Sequence, residues 1–493
     1  MSYPFSLLMI SFTISLVVLI AGFFIYGKIT ERIFGIEKNR PTPATVQRDN
    51  VDYVPMKPWK IFFIQFLNIA GLGPIFGAIM GASFGPASFI WIVLGTLFAG
   101  CVHDYFSGMM SLRHNGESLP EIHGRYLGKR VRNFMRIFTI VMMILVGAVF
   151  VAGPAGLLAM LTPEWLNTTF WIVIIFLYYI VATLFPVDKI IGKIYPVFGI
   201  CLLIMAFGIM IMMYVKQPAV PEFWQGLHNR SLNPLANPIF PMMFVSIACG
   251  AISGFHATQS PLMARCMTNE KYGRPVFLGS MVAEGILALI WAAAACYFFF
   301  EDPDGIAIFK SGETNAAVIV NYLTAEWLGP VGTLLAMLGV IAAPVTTGDT
   351  AFRSARIMVS EVFHIDQKPL KNRILISFPL FAAGLLILVF SLTDAKGFNT
   401  IWRYFAWSNQ TLAVVTLWSI TVFLYRDNKP YLISMIPALF MTMVVTTFIF
   451  ISPTGFGLSP TLSYFLGGII TLAIMELFHI RERNLAAKSA PCR

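Results

Sequence analysis

Charge is scarce in this chain. Only 12% of its 493 residues are Asp, Glu, Lys or Arg, about half the share of a soluble protein. With 57% hydrophobic residues, a water-soluble fold would expose large apolar patches and aggregate. A soluble two-domain enzyme is therefore excluded. Cysteine is also sparse. Cys101, Cys201, Cys249, Cys266, Cys296 and Cys492 are scattered, with no C-x-x-C, so a disulfide framework or zinc ribbon is not expected and packing thiols are. No G-x-x-x-x-G-K-[ST] occurs, which argues against a fused ATP motor. No base precedes the apolar run from Phe5 to Tyr26, and no small-residue cleavage site follows it. That run reads as a span, not a cleavable signal.

Long apolar runs fill the rest, with 44 Phe against 10 Trp and 16 Tyr. The expected class is an all-α polytopic membrane protein with about thirteen transmembrane helices. Their ranges are 5–26, 61–81, 87–110, 134–161, 170–187, 195–215, 239–263, 275–299, 329–348, 374–392, 404–425, 431–451 and 460–480. Asn315 to Trp327 reads as a helix too short to span. The net charge of +10 does not indicate nucleic acid, because the bases lie between apolar runs and form no stripe. They alternate by side instead. With the 28–60 loop in the cytoplasm, only Lys216, Arg230, Lys310, Lys396 and Arg403 fall outside, five of 34. The positive-inside rule then places the N-terminus outside and the C-terminus inside.

Two spans contain helix breakers at mid-depth. One carries Asn68-Ile-Ala70-Gly71-Leu-Gly73-Pro74, the other Gly250-Ala-Ile-Ser253-Gly254-Phe-His256-Ala-Thr258-Gln259-Ser260-Pro261. Proline removes a ladder hydrogen bond, and glycine lowers helix propensity. Freed backbone groups are tolerated in a membrane only where they line a cavity or coordinate something. The two spans are five apart, an odd number, so they enter from opposite sides. That predicts a five-plus-five inverted repeat with two discontinuous helices. The units are 61–215 and 216–425. Peripheral parts are the helix and cytoplasmic loop of 1–60, and the two helices and tail of 426–493. Residues at the breaks are the candidate substrate site: Asn68, Gly71, Gly73, Gly254, His256 and Gln259.

Polar groups within spans add candidates for ion coupling. Glu284 lies near the middle of its span, and His103-Asp104 lie in the cytoplasmic half of theirs. Thr346-Thr347-Gly348-Asp349 end another. Paired threonine hydroxyls suit a hard cation such as Na⁺, although threonines also back-bond within helices. For Asp104 and Glu284 the plain alternative is an interhelical charge pair; for His256 it is a satisfied buried histidine. Arg353 and Arg356 are candidate partners of Asp349. Gly81-Ala-Ser83-Phe-Gly85 matches G-x-S-x-G but has no strand before it, so the nucleophile-elbow mechanics are missing. A channel and an intramembrane aspartyl protease using Asp104 and Asp349 are the competing classes.

Several ordered motifs carry a family resemblance. Val51-Asp-Tyr-Val-Pro, Asn68 to Gly77, His103-Asp-Tyr-Phe-Ser-Gly108 and Thr346-Thr-Gly-Asp-Thr350 with Arg353-Ser-Ala-Arg356 resemble the carbon starvation protein A family. The resemblance runs from about Tyr26 to about Ala413, and the chain looks like a short form. It implies a bacterial inner-membrane secondary transporter for peptides or pyruvate, used when nutrients are limiting. It also implies kinship with the amino acid–polyamine–organocation transporters and their leucine-transporter-like fold. In that fold a cation site lies between the first and eighth core helices, which here implies Na⁺ at Ala70, Thr346 and Thr347. Proton coupling through Lys193, Asp349 or Glu284 is the alternative. No tightly bound cofactor is expected; the partners are a small-molecule substrate, the coupling ion Na⁺ or H⁺, and the lipid bilayer.

Overall fold

The computed structural model describes residues 9–185, 191–312, 314–393 and 397–489. They form helices joined by short loops, as expected of a chain whose backbone must satisfy itself inside lipid. Helix α1 is Ile10–Phe34. The first broken span is α2, Pro58–Ile69, and α3, Gly73–Ala82, bent by 54° at residues 70–72. Next come α4 (Ala87–Arg113), the short α5 (Leu119–Leu127), α6 (Lys129–Leu161), α7 (Thr168–Leu184) and α8 (Ile191–Lys216). The second broken span is α9, residues 239–246, and α10, Gly254–Ala264. After it follow α11 (Gly279–Phe300), α12 (Pro303–Ser311), α13 (Ala316–Phe363), α14 (Leu370–Thr393), α15 (Gly397–Arg426), α16 (Leu432–Ile451) and α17 (Pro460–Ser489).

Among the described residues nine helices are long and apolar enough to cross a membrane, or ten with the bent pair as one span. Three of the thirteen expected ranges do not meet that measure. Helix α7 is apolar but has 17 residues. The 239–263 range is split by an unwound stretch, and α15 is diluted by Asn409, Gln410 and several hydroxyl residues. Other helices overrun their expected ends. Helix α1 continues to Phe34 and α13 to Phe363. The helical stretch at Asn315 to Trp327 is present and turns into the following span at Gly329, whose φ of 66° is left-handed.

Burial separates centre from rim. In α4 and in the helix running to Phe300, 83% of the most apolar stretch is buried; in α17 only 17% is. Helix α1 exposes Val17, Phe24 and Ile25, and α14 exposes Phe378 and Leu386. Exposed apolar side chains in this number suit contact with lipid. Both broken spans lie inside, packed on α4, α11, α13 and α15.

Candidate transport site

The first break begins where α2 ends. Ala70 leaves helical geometry at φ −81° and ψ 50°. The Gly71 N–H turns to Ile69 O at 2.9 Å, and Pro74, without an N–H, opens the wide π-turn Gly73–Gly77. The second break runs through residues 247–253, with Gly250 at φ +89° and Ser253 extended. Its freed backbone groups are taken by side chains. Trp91 Nε1 donates to Ile247 O at 3.2 Å, Thr96 Oγ1 to Gly250 O at 2.7 Å and Gln410 Nε2 to Ile252 O at 3.1 Å. Asn409 Oδ1 accepts from Phe255 N at 2.7 Å and from Ser253 Oγ at 3.0 Å. Side chains of α4 and α15 thus satisfy the polar groups that the unwound stretch frees.

The two breaks touch. A β-carbon at Gly73 would lie 2.2 Å from Cys249 Cβ, and one at Gly77 would lie 2.9 Å from Ser246 O. Gly254 abuts the backbone of α15, where a β-carbon would lie 2.4 Å from Ala413 N and Asn409 O. At Gly77 and Gly254 a neighbouring backbone approaches too closely for a side chain, and at Gly73 the Cys249 side chain does. Beside the first break, Gln65 and Asn68 are buried, and none of their four amide atoms has a hydrogen-bond partner among the described residues. Buried amides are rarely left so. A cavity of about 650 Å³ reaches both broken spans through Phe76, Met80, Val245 and Ser246, and is also lined by Trp402 and Arg403.

Four ionisable side chains meet below the second break. His256 Nδ1 lies 2.9 Å from Asp104 Oδ2, and its Nε2 lies 3.3 Å from Glu284 Oε2. His103 Nδ1 holds the other Asp104 oxygen at 2.7 Å. All four are fully buried. The sequence reading placed His256 with the substrate residues and Glu284 with the coupling residues; the fold joins them. Gln259 lies a turn further, its Nε2 donating to Thr258 Oγ1 at 3.0 Å. Cys249, read as a packing thiol, faces the same cluster, 3.5 Å from Ser253 Oγ. The donor atoms of Cys249, His256 and Glu284 lie within 4.8 Å of one another. Carboxylates face both ring nitrogens of His256, however, which suits a proton better than a metal ion.

The threonine pair lies elsewhere. Thr347 Oγ1 donates to Leu67 O at 2.8 Å, and Thr346 Oγ1 to Ala343 O at 2.7 Å. The Ala70 N–H remains bonded to Phe66 O at 2.7 Å. Asp349 is held by Tyr195 OH at 2.8 Å and Thr183 Oγ1 at 3.4 Å. It makes no pair with Asp104, whose oxygens are taken by the two histidines. The expected arginine partners of Asp349 stay in electrostatic range of it but form no salt bridge with it. Arg353 and Arg356 reach Asp52 at 3.5 and 3.2 Å, and Arg353 also donates to Ala182 O and Phe185 O. Asp349 is instead met by the hydroxyls of Tyr195 and Thr183, and the two guanidinium groups turn to Asp52 in the loop before α2. Burial alone would raise the Asp52 carboxyl, but Arg356, Arg353 and Arg265 hold it below its ordinary range. Asp52 sits in the Val51–Pro55 motif, which was a signal for it; Tyr195 had none, since a tyrosine at the end of an apolar run reads as an interfacial anchor. The Lys193 side chain lies outside the described residues.

The family model of carbon starvation protein CstA matches residues 7–163, 159–327 and 305–448. An uncharacterized membrane protein of Haemophilus influenzae is 42% identical over 349 residues, covering 61% of this chain and 94% of its own. The peptide transporter CstA of Campylobacter jejuni is 26% identical, over 85% of this chain and 76% of its own. The pyruvate/proton symporter BtsT of Escherichia coli is 26% identical, over 60% of this chain and 51% of its own. A crystal structure of a manganese transporter from Eremococcus coleocola superimposes with a TM-score of 0.53 at 15% identity, covering 87% of this chain and 97% of that one. That likeness concerns the fold alone. The named relatives are transporters, not enzymes, and this chain is a multi-pass membrane protein that belongs to the carbon starvation protein CstA family.

Proposed function

We propose that the protein is a secondary active transporter that imports small carboxylate nutrients, short peptides or pyruvate, across the bacterial inner membrane under carbon starvation. One observation carries this reading: the two broken spans touch at their breaks, and a cavity of about 650 Å³ opens beside both spans, at Phe76 and Met80 of one and Val245 and Ser246 of the other. Touching discontinuous helices at mid-membrane form a substrate site in inverted-repeat transporters. The thirteen-span, five-plus-five architecture with the N-terminus outside completes the proposal. In it α7, 239–263 and α15 are spans, and 61–215 and 216–425 are the inverted units. Arg403 then lies at the outer mouth, where it attracts a carboxylate. Asn68, Gly71, Gly73, Gly254 and Gln259 surround the cargo, and the free amide of Asn68 supplies donors. The coupling ion is Na⁺ at Ala70, Thr346 and Thr347, or a proton on Asp349 or Glu284. The names of the peptide-transporting and pyruvate/proton-symporting relatives support this substrate class.

Reconstitution into proteoliposomes tests it. Labelled pyruvate and labelled dialanine are offered while Na⁺ and pH gradients are varied separately. Accumulation of either probe against its gradient, driven by one ion, is expected. Uptake that only equilibrates the probe would make the protein a channel, and no uptake of either probe would remove this substrate class.

A further inference from the structure

His256 is the third residue of α10, just past the unwound stretch. Among the described residues no lysine or arginine pairs with Asp104 or Glu284, so His256 and His103 are their basic partners. Asp104 accepts from both histidines, one on each oxygen, at 2.7 and 2.9 Å. Two such bonds favour its ionised form and place a proton on Nδ1 of His256. Nε2 then lies 3.3 Å from Glu284 Oε2, close but outside hydrogen-bonding geometry, and neither atom has a hydrogen-bond partner among the described residues. A bare ring nitrogen and an ionised carboxylate would be two acceptors facing each other. The contact is favourable only with a proton between them, on the ring or on the carboxyl.

We propose that His256 carries the coupled proton, with Glu284 as its exchange partner and Asp104 as its fixed counter-charge. This rests on the transporter reading and names its coupling ion. On uptake the O–H bond of a Glu284 carboxyl protonated from water breaks and an N–H bond forms at Nε2, which turns imidazole into imidazolium and leaves Glu284 a carboxylate. Release breaks that bond and hands the proton to water on the other side. Nothing is oxidised or reduced, and one positive charge travels with the cargo. The carrier's place makes coupling natural. His256 follows the unwound stretch directly and Cys249 lies within it, whereas Asp104 and Glu284 stand on the continuous helices α4 and α11. A tilt of α10 about residues 247–253 changes the separation of His256 and Glu284, and with it the hold on the proton.

The surroundings add few other charges. Helix α4 also brings Cys101, in electrostatic range of Asp104, and α5 brings His123, in range of His103. The unwound stretch brings Cys249. Helix α15 presents the neutral Asn409 and Gln410, and α2 carries the neutral Gln65 and Asn68. Helix α13 meets α10 through Ser354, whose hydroxyl donates to Thr258 O at 3.3 Å. Its Asp349 and Arg353 are engaged with Tyr195 and Asp52.

The test compares the full-length parent, His256→Gln and Glu284→Gln in proteoliposomes, with labelled pyruvate and dialanine as probes. Two fluxes are read: accumulation driven by an inward proton gradient, and exchange of labelled for unlabelled probe, which moves no net proton. For a proton relay inside a membrane, the ratio of driven uptake to exchange should fall at least about tenfold in both variants. Driven uptake that survives in His256→Gln overturns the proposal. Equal loss of both fluxes also overturns it and makes His256 a cargo ligand. If His256→Gln does not fold, Glu284→Gln decides by the same ratio. Infrared difference spectra between acidic and alkaline pH, on protein without substrate, form a separate arm. A pH-dependent imidazolium signal that His256→Gln removes is expected, and its absence from the parent overturns the proposal. If the parent takes up neither probe, the substrate reading fails, while the infrared arm still decides whether His256 exchanges a proton.

Discussion

The hydroxyl of Thr347 donates to the carbonyl of Leu67 at 2.8 Å, tying α13 to the last turn before the first break. That carbonyl is free because Gly71 N–H, its helical partner, has turned to Ile69 O. The threonine therefore caps a group that the break exposes. Thr347→Val keeps the shape and removes the cap. A buried carbonyl left unpaired costs about 1–3 kcal/mol, so the melting temperature in detergent should fall. If Na⁺ is the coupling ion, its stimulation of uptake should vanish as well. A variant that melts like the parent would show that this bond does not hold the two helices together.

The crossing of the breaks has its own test. Gly73→Ala pushes a methyl group onto Cys249, where an unrelaxed β-carbon would lie 2.2 Å from Cys249 Cβ. Overpacking of this kind costs about 1–3 kcal/mol, and uptake should fall with it. Adding Cys249→Gly restores the room and should recover both stability and uptake in part. Recovery no better than the sum of the two single effects would mean the residues do not meet as described.

Asp52 links stability to pH. Its folded-state carboxyl lies below its ordinary range, so its contribution is present above the unfolded value of about 3.9. The contribution is lost as the pH falls through the folded value. Asp52→Asn leaves Arg353 and Arg356 without their counter-charge, and breaking such a buried pair costs about 3–5 kcal/mol. Thermal unfolding in detergent should show the variant far below the parent at neutral pH, with the gap narrowing in acid. A gap that widens in acid would reverse the sign and refute this role.

Sidedness is open to direct labelling. Single cysteines replacing Asn167 and Phe456, both exposed, should react from outside with an impermeant thiol reagent in a background without exposed cysteines. One replacing Asn428, exposed in the turn after α15, should react only after the cytoplasmic face is opened. Labelling of the Asn428 position from outside would overturn the span count and with it the inverted repeat.

Membrane class and the two breaks were legible in the sequence, because each is a local property. Apolar run length sets span number to within a few helices. Pro154, Pro196 and Pro437 stand inside continuous helices, but where glycine, proline and polar residues cluster, near Gly71 and Ser253, the interruptions are present as expected. Helix ends were less legible. Arg32 and Arg353 close no span, because a helix continues past the membrane edge wherever another helix receives it. Partnership was not legible at all. Asp104 and His256 are 152 positions apart, and Asp52 and Arg356 are 304 apart. Which face of each helix turns inward depends on every neighbour it packs against. Tertiary packing alone decided that Arg356 answers Asp52 rather than Asp349, and that Thr347 caps Leu67. It also decided that a single histidine stands between two carboxylates, because only there can charges buried from water find their counterparts.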